Sequence, residues 1–397
     1  MNTKYIHIGK STILWEKTSF SRAFKFLKNN SLSRAELSDD NGNVKNIHYG
    51  DILIKFSECL YADEGNSIPY IINDNIAYKL LKLSPLINGD IVFADAAEDN
   101  TVGKCIEIIT HNDTDLVAGL HTIPCRPTIK FAEGYLGYYL NSSAFHNQLL
   151  QYIQGTKISS ISKKSICQTI ISYPSEIINQ QKIASYFQSL DSLIQSTSKK
   201  LVSLKQVKAA SLQSMFPQEG ETVPKVRFKG FEEEWKYEIL GKISSISIGE
   251  FVIQTKQRAN APYPVYNGGI TNTGYYDYFN QEGPKIIISA RGANAGFISK
   301  YKNRFWAGNS CYSIGINNNN WEFIYYFLQS KQDSYLKEQQ AANIPSISKK
   351  QIYTTNVLLP CYNEQIKIGL FFSNLDKQIS LQTQRLEKLK QIKAACL

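Results

Sequence analysis

Amide, guanidinium and aromatic side chains gather on the turns of the second half of this sequence: Tyr266, Asn267, Thr271, Asn272, Tyr275, Arg291, Asn294, Lys302, Arg304 and Asn309. The asparagine amide, with one donor and one acceptor, and the arginine guanidinium, with two donors, pair bidentately with the edges of adenine and guanine, while hydroxyls and backbone amides hold phosphate oxygens. The glycines in YNGGITNTG and ARGANAG let a loop approach a groove closely. The first half offers Lys55, Ser57, Lys104, His121 and Arg126, and the stretches GTKISSISKK and PSISKK add Lys157, Lys163 and Lys349. This is a pattern of composition, so for each residue taken singly a surface-turn role competes with a base or phosphate contact. For His121 the competing role is a buried, hydrogen-bonded ring.

Covalent, metal and cofactor chemistry finds no comparable support. Lys10, Lys104 and Lys242 follow a glycine without the upstream glycine of a GxxxxGK[ST] phosphate loop. The histidines His7, His48, His111, His121 and His146 form no HExxH pair, and Gly292 to Gly296 lack the GxGxxG spacing of a dinucleotide turn. Neither a glycine-rich adenosylmethionine loop nor an Asn-Pro-Pro-Tyr motif is found. The expectation is a chain with no catalytic residue, metal ligand or cofactor site of its own.

The elements that must position the polar loops occur twice. From Ile183, the residues Phe187, Leu190, Ile194, Thr197, Leu201, Leu204, Lys208, Ser211 and Met215 follow in steps of four and three, the seam of a coiled coil. The seam returns as Ile368, Phe372, Leu375, Ile379, Gln382, Leu386, Leu389, Lys393 and Cys396, with Thr197 matched by Gln382 and Lys208 by Lys393. Polar layers at matching depths can select register and orientation, and Val207 and Ile392 beside the lysines are expected to keep the seam apolar. A helix that merely caps its own domain is the alternative. Before each helix lies an SISKK stretch ending in a proline, GTKISSISKKSICQTIISYP and AANIPSISKKQIYTTNVLLP.

Each block upstream of a helix reads as short strands cut by turns. Gly50-Asp51 and Gly89-Asp90 are expected to be turns feeding strands, and YLGYYLNSSAFHN an amphipathic helix matched by WEFIYYFLQS in the second block. KIIIS and FISKY read as strands joined by ARGANAG, and Pro217 to about Trp235 as a linker rich in proline, glycine and charge.

At 397 residues the chain is long enough for two globular domains. Its 44 Lys and Arg against 34 Asp and Glu give a net charge of +10, the sign expected of a protein that meets a polyanion. Seven scattered cysteines without a CxxC pair fit reduced thiols, and no apolar run reaches signal-peptide or membrane-span length. The expected location is cytoplasmic, away from the membrane.

In this organisation the chain resembles the specificity subunits of type I restriction-modification systems. The resemblance rests on the duplicated module, on the RFKGFEEEW lead-in to the second half, and on the helix preludes YPSEIINQQKIASYFQSLD and LPCYNEQIKIGLFFSNLD. The family's prelude runs from proline through Glu-Gln and Ile to Leu-Asp. Glu364-Gln365 and Leu375-Asp376 fit it; the first copy keeps Leu190-Asp191 but has Asn179-Gln180 or Gln180-Gln181 at the Glu-Gln place.

The resemblance implies an α+β fold with two mixed, mostly β target recognition domains separated by two long antiparallel coiled-coil helices. The corresponding boundaries are 1–178, 179–216 for the first helix, 217–362 including the linker, and 363–397 for the second helix. It also implies a noncatalytic reader of bipartite, asymmetric double-stranded DNA that docks two DNA adenine methyltransferase subunits and a restriction or translocase subunit. S-adenosylmethionine, ATP and Mg2+ would belong to those partners. Leu193, Val202 and Leu381, apolar and off the seam, are the expected partner-binding positions. The rivals are the specificity subunit of a type II-like fused nuclease-methyltransferase or of a methylation-only system, and, from another class, a two-domain carbohydrate- or protein-binding scaffold.

Overall fold

The two stretches with helical apolar spacing form the longest helices of the protein, Ile177–Ser214 and Tyr362–Cys396. The structure, a computed structural model, describes residues 4–8, 11–63, 68–112, 114–155, 158–337 and 345–397; Lys157 lies outside them. Along the first helix Phe187, Leu190, Thr197 and Leu201 are buried, as is Met215 just past its end, and the remaining seam positions from Ile183 to Ser211 are half-buried. The second helix repeats this, with Ile368, Phe372, Leu375 and Leu386 buried and only Cys396 of its seam exposed. Val207 and Ile392 correct an expectation: both are exposed, because the lysine beside each turns inward to a carboxylate.

The chain divides into two compact units, residues 1–196 with 386–397, and residues 197–385. Both mix sheets and helices, so the fold is α+β.

In the first unit a five-stranded sheet has the order Phe24–Phe26, Thr122–Pro127, Ile91–Ala94, Cys105–Ile109, Cys59–Tyr61, antiparallel except for its last pair. Strand side chains alternate between faces. Ile91 and Phe93 accordingly join a core with Phe20, Tyr135, Leu136 and Phe145, while Val92 and Ala94 join another with Ile47, Ile52 and Leu116. Burial on both faces explains why IVFA reads as a continuous apolar run. Gly89, at φ +83°, turns the chain into this strand as expected. Gly50 and Asp51 do not: they lie in the helix Tyr49–Ile54, whose first turn carries the carboxylate of Asp51 and whose N-cap is His48. The expected amphipathic helix is likewise two helices, Tyr135–Asn141 and Ser143–Leu150, and residues 135–140 are buried all round.

The second unit holds a four-stranded antiparallel sheet, Ser244–Ile248, Cys311–Ile316, Lys285–Ser289, Ile298–Tyr301. Ile286 and Ile288 face a core with the helix Trp321–Ser330; Ile287 faces Phe305 and Ala307 on the other side. A three-stranded sheet, Gly274–Tyr276, Tyr263–Tyr266, Trp306–Ala307, adjoins it. The stretch read as a linker is anchored at its end: Trp235 is buried, with its ring 5.5 Å from Phe323.

Candidate nucleic-acid interface and its mount

Each β-rich block is fastened to the long helices by the same three side chains. In the first unit Asp191, on the first long helix, accepts a hydrogen bond from the Tyr138 hydroxyl at 2.8 Å and an ion pair from Lys393 Nζ, on the second long helix, at 2.6 Å. Lys393 stands 5.7 Å over the Tyr138 ring and also meets Glu58 at 2.6 Å. In the second unit the helices exchange roles. Asp376, on the second helix, accepts from the Tyr326 hydroxyl at 2.6 Å and from Lys208, on the first, at 2.7 Å, and Lys208 stands 5.6 Å over the Tyr326 ring.

The polar breaks in the two seams are therefore partners of the Leu-Asp positions, each lysine serving the aspartate of the other copy. Within the first unit the contacts Asp191 to Lys393 and Tyr186 to Cys396 run antiparallel. Within the second, Lys208 to Asp376 and Phe216 to Phe372 do the same. Burial alone would push the Asp376 carboxyl up, but hydrogen bonds from Lys208 and Tyr326 hold it below its ordinary range, so the clamp carries an ionised acid.

The clamps differ in charge. Lys393 sits between two acids, Glu58 and Asp191, whereas Asp376 sits between two lysines, Lys208 and Lys300. Tyr138 is aimed by Glu107, whose buried carboxylate accepts the Gly134 and Gly137 amides at the start of its helix. Burial pushes Glu107 up to about 7 despite those two donors.

A glutamine fixes the foot of each long helix. Gln180 accepts from the Ala132 amide and donates to the Pro174 carbonyl; Gln365 accepts from the Asn320 amide and donates to the Pro360 carbonyl. The prelude of the first copy is thus Asn179-Gln180. Glu364 is fully buried and takes two bonds of 2.8 Å from Arg227 of the RFKGF lead-in, whereas the corresponding Asn179 donates to Glu176. A neutral amide needs no guanidinium, which accounts for the departure from Glu-Gln.

Two basic residues and one amide expected at nucleic acid make hydrogen bonds within their own domain. Arg126 grips the buried Asp90 through Nε and Nη2 at 2.7 Å each, and Lys104 donates to the Leu53 and Phe56 carbonyls. Asn267 is turned inward, its Oδ1 accepting the Ser310 amide. These three tie loops together within their own blocks.

Others keep accessible surface. Lys55 pairs with Asp51 at 3.1 Å and Ser57 donates to the Cys59 carbonyl. His121 is exposed, not buried; it adopts φ +53°, meets Asp95 at 3.1 Å and lies 5.2 Å from the Tyr49 ring. Asn29, Asn30, Ser31 and Asp95 line a hollow with it. A non-glycine residue held at positive φ stores strain of a kind found at functional turns.

The SISKK copies fold alike. Ser162 and Ser348 cap the short helices Lys163–Cys167 and Lys349–Tyr353, so the repeat reflects helix starts, with Lys163 and Lys349 exposed in their first turns. In the second block Thr271, Tyr275 and Arg291 are exposed, and Asn272, Asn294 and Asn309 half-buried. Arg304 bonds Glu282 and stacks 4.7 Å over Phe279; Lys302 pairs with Glu322. Leu193, Val202 and Leu381 are exposed on the long helices, as their positions off the seam require.

Among the described residues no group of acidic, histidine and cysteine side chains is arranged to hold a metal, and no helix is long and apolar enough to cross a membrane.

Known proteins share this organisation. The family model for the type I restriction modification DNA specificity domain matches the chain twice, over residues 14–206 and 232–391. A protein of Methanocaldococcus jannaschii, provisionally named the type I restriction enzyme MjaX specificity subunit, is 23% identical over 332 residues, covering 78% of this chain and 76% of its own. The crystal structure of a type I restriction-modification S subunit from M. genitalium superposes with a TM-score of 0.65 over 98% of this chain and 96% of its own, at 16% identity. A chain from a study of assembly and conformational transition in a type I system superposes with a TM-score of 0.54 over 96% of each, also at 16%. With two matches that span most of its length, the chain belongs to the type I restriction-modification specificity family, the noncatalytic subunits that recognise DNA for these systems.

Proposed function

We propose that the chain reads a bipartite, asymmetric DNA sequence, one half-site for each β-rich block, with the two long helices as the spacer that sets the unread gap. The supporting observation is the exchanged clamp: the same tyrosine, aspartate and lysine fasten both blocks, while the loops those blocks carry differ, AAEDNTVG against ARGANAG. Equivalent mounts with unlike reading loops call for two unlike half-sites. His121, Lys55, Ser57 and Lys163 are proposed for the first, and Thr271, Asn272, Tyr275, Arg291, Asn294, Arg304, Asn309 and Lys349 for the second. Two adenine methyltransferase subunits dock on the helix faces that expose Leu193, Val202 and Leu381 and bring S-adenosylmethionine. A restriction subunit brings ATP and Mg2+ chemistry. The chain works on DNA in the cytoplasm.

Two measurements test this reading. In the first, Leu193→Lys with Val202→Lys puts charge onto apolar surface that a partner would cover. Co-purification of the methyltransferase is expected to fall by about tenfold or more, while the melting temperature of the chain is unchanged; undiminished co-purification rejects these positions as the dock.

The second is a salt titration, because a protein that displaces counterions from about six or more phosphates loses on the order of a thousandfold in affinity between 50 and 200 mM salt. A purified complex with methyltransferase is expected to follow that slope on duplex DNA. A flat salt response with retained binding to glycans would favour the carbohydrate-binding scaffold.

A further inference from the structure

Among the described residues Phe251 is the most exposed of the large hydrophobic side chains in the second unit, at 72%, yet the backbone that carries it is pinned from both sides. The Gly249 amide donates to the Cys311 carbonyl and the Glu250 amide to the Ala307 carbonyl, while the Trp306 indole donates to the Glu250 carbonyl at 3.2 Å. The approach is so close that a Cβ on Gly249 would lie 2.2 Å from the Ala307 oxygen. Val252, next in sequence, is buried. Residues Gln254–Lys256 form a single 3-10 turn, after which the Arg258 amide donates to the Tyr275 carbonyl and the Arg258 guanidinium pairs with Asp277. A mobile loop loses little by exposing an aromatic ring in some conformations, but here backbone hydrogen bonds beside the ring hold it in an exposed position. With Ile253 also exposed two residues on, the ring makes an apolar tip of the kind that a partner surface covers.

The surroundings of the tip select its occupant. Gln254 and Lys256 are exposed on the same short segment, and Arg258 follows. The Arg258 amide also joins the segment by a backbone hydrogen bond to Tyr275, one of the proposed reading residues. Amide and basic side chains flanking a projecting ring complement a duplex, in which apolar wedges enter between base pairs while cations meet the phosphates on either side.

We propose that Phe251 is a wedge that inserts at a base step of the second half-site and partly unstacks it, so that the deformability of that step contributes to specificity. This rests on the DNA-reading function proposed above. Ile253, exposed two residues on, adds apolar surface near the ring, and Lys256, exposed on the same segment, meets the neighbouring phosphate. A step that unstacks readily, such as pyrimidine-purine, is then favoured at a position where no hydrogen bond reads the base.

The test uses the complex with its methyltransferase and a duplex containing the site found by methylation mapping. 2-Aminopurine replaces, one at a time, adenines of the second half-site other than the methylated one. With the wild-type chain, fluorescence is expected to rise several-fold at one position. Phe251→Ala is expected to abolish that rise and to weaken cognate binding by about tenfold, with binding to a noncognate duplex and the melting temperature unchanged, since an exposed side chain contributes little to stability. Phe251→Leu, which keeps an apolar wedge, is expected to restore most of both signals. Retention of fluorescence and cognate affinity by Phe251→Ala overturns the proposal. So does an equal loss on cognate and noncognate duplexes, or a loss of methyltransferase co-purification with DNA affinity intact, which would make the ring a protein contact. Failure of the wild-type complex to bind any duplex overturns instead the DNA-reading function on which the wedge depends.

Discussion

Arg227→Met alone is expected to destabilise the second unit by about 3–5 kcal/mol, because it leaves a buried carboxylate without its counter-charge. Glu364 is fully buried, and its two oxygens are engaged by Nε and Nη2 of Arg227 at 2.8 Å. The hydrogen bonds to Glu364 also raise the pKa of the Arg227 guanidinium. The informative comparison is Arg227→Met with Glu364→Met. Apolar side chains of similar length often replace a buried pair with little loss, so the double variant is expected to recover most of the stability. Urea unfolding followed by tryptophan fluorescence checks this, since Trp235 lies buried in the same core as the foot of the second helix. A single variant as stable as the double one would mean that the ion pair contributes nothing to holding the RFKGF segment against the helix.

Inserting one heptad into each long helix, after Thr197 and after Gln382, is expected to lengthen the unread gap by roughly three base pairs without changing either half-site. Seven residues add about 10 Å of helix, and one base pair occupies about 3.4 Å of duplex. The insertions fall between Asp191 and Lys208 on the first helix and between Asp376 and Lys393 on the second, so matched insertion leaves both lysine-aspartate pairs able to form. An insertion into one helix alone forces one pair out of register, and methylation is expected to collapse. Methylation mapping separates the outcomes. An unchanged gap, or altered half-sites, in the doubly extended chain would show that the helices do not set the spacing.

Much of this architecture was legible because it is written twice. A four-three spacing with polar breaks at the same depths in both copies identifies the helices, and their seams are covered almost throughout. What stayed hidden was the purpose of the breaks. Lys208 and Lys393 look like defects in an apolar seam, and Leu190-Asp191 and Leu375-Asp376 look like markers of a helix prelude. Only when the chain folds back does each lysine reach the aspartate of the opposite copy, with Tyr138 or Tyr326 completing the contact.

The candidate interface was less legible for a related reason. Residue type cannot reveal that Arg126 is occupied by Asp90, an acid from a stretch read simply as a Gly-Asp turn, or that Lys104 is spent on two carbonyls. The helix Tyr49–Ile54 is hidden in the sequence because Gly50-Asp51 before the apolar run ILI reads as a turn feeding a strand, while its N-cap at His48 lies outside the usual serine, threonine and aspartate signals. His121 carried a weak signal: imidazole in a short turn after a glycine-containing strand end, AGLHT.

The clamp also bears on how such a protein can acquire a new target. Each block contributes one phenol, Tyr138 or Tyr326, to a socket whose aspartate and lysine both come from the long helices. A foreign block therefore needs to supply a hydroxyl from the middle of one buried helix, plus an apolar underside, to sit on the existing frame. Everything on its outward loops is open to replacement. Recombination within the chain can in this way exchange a whole reading surface in one event, while the fittings that join it to the rest of the machine are inherited unaltered.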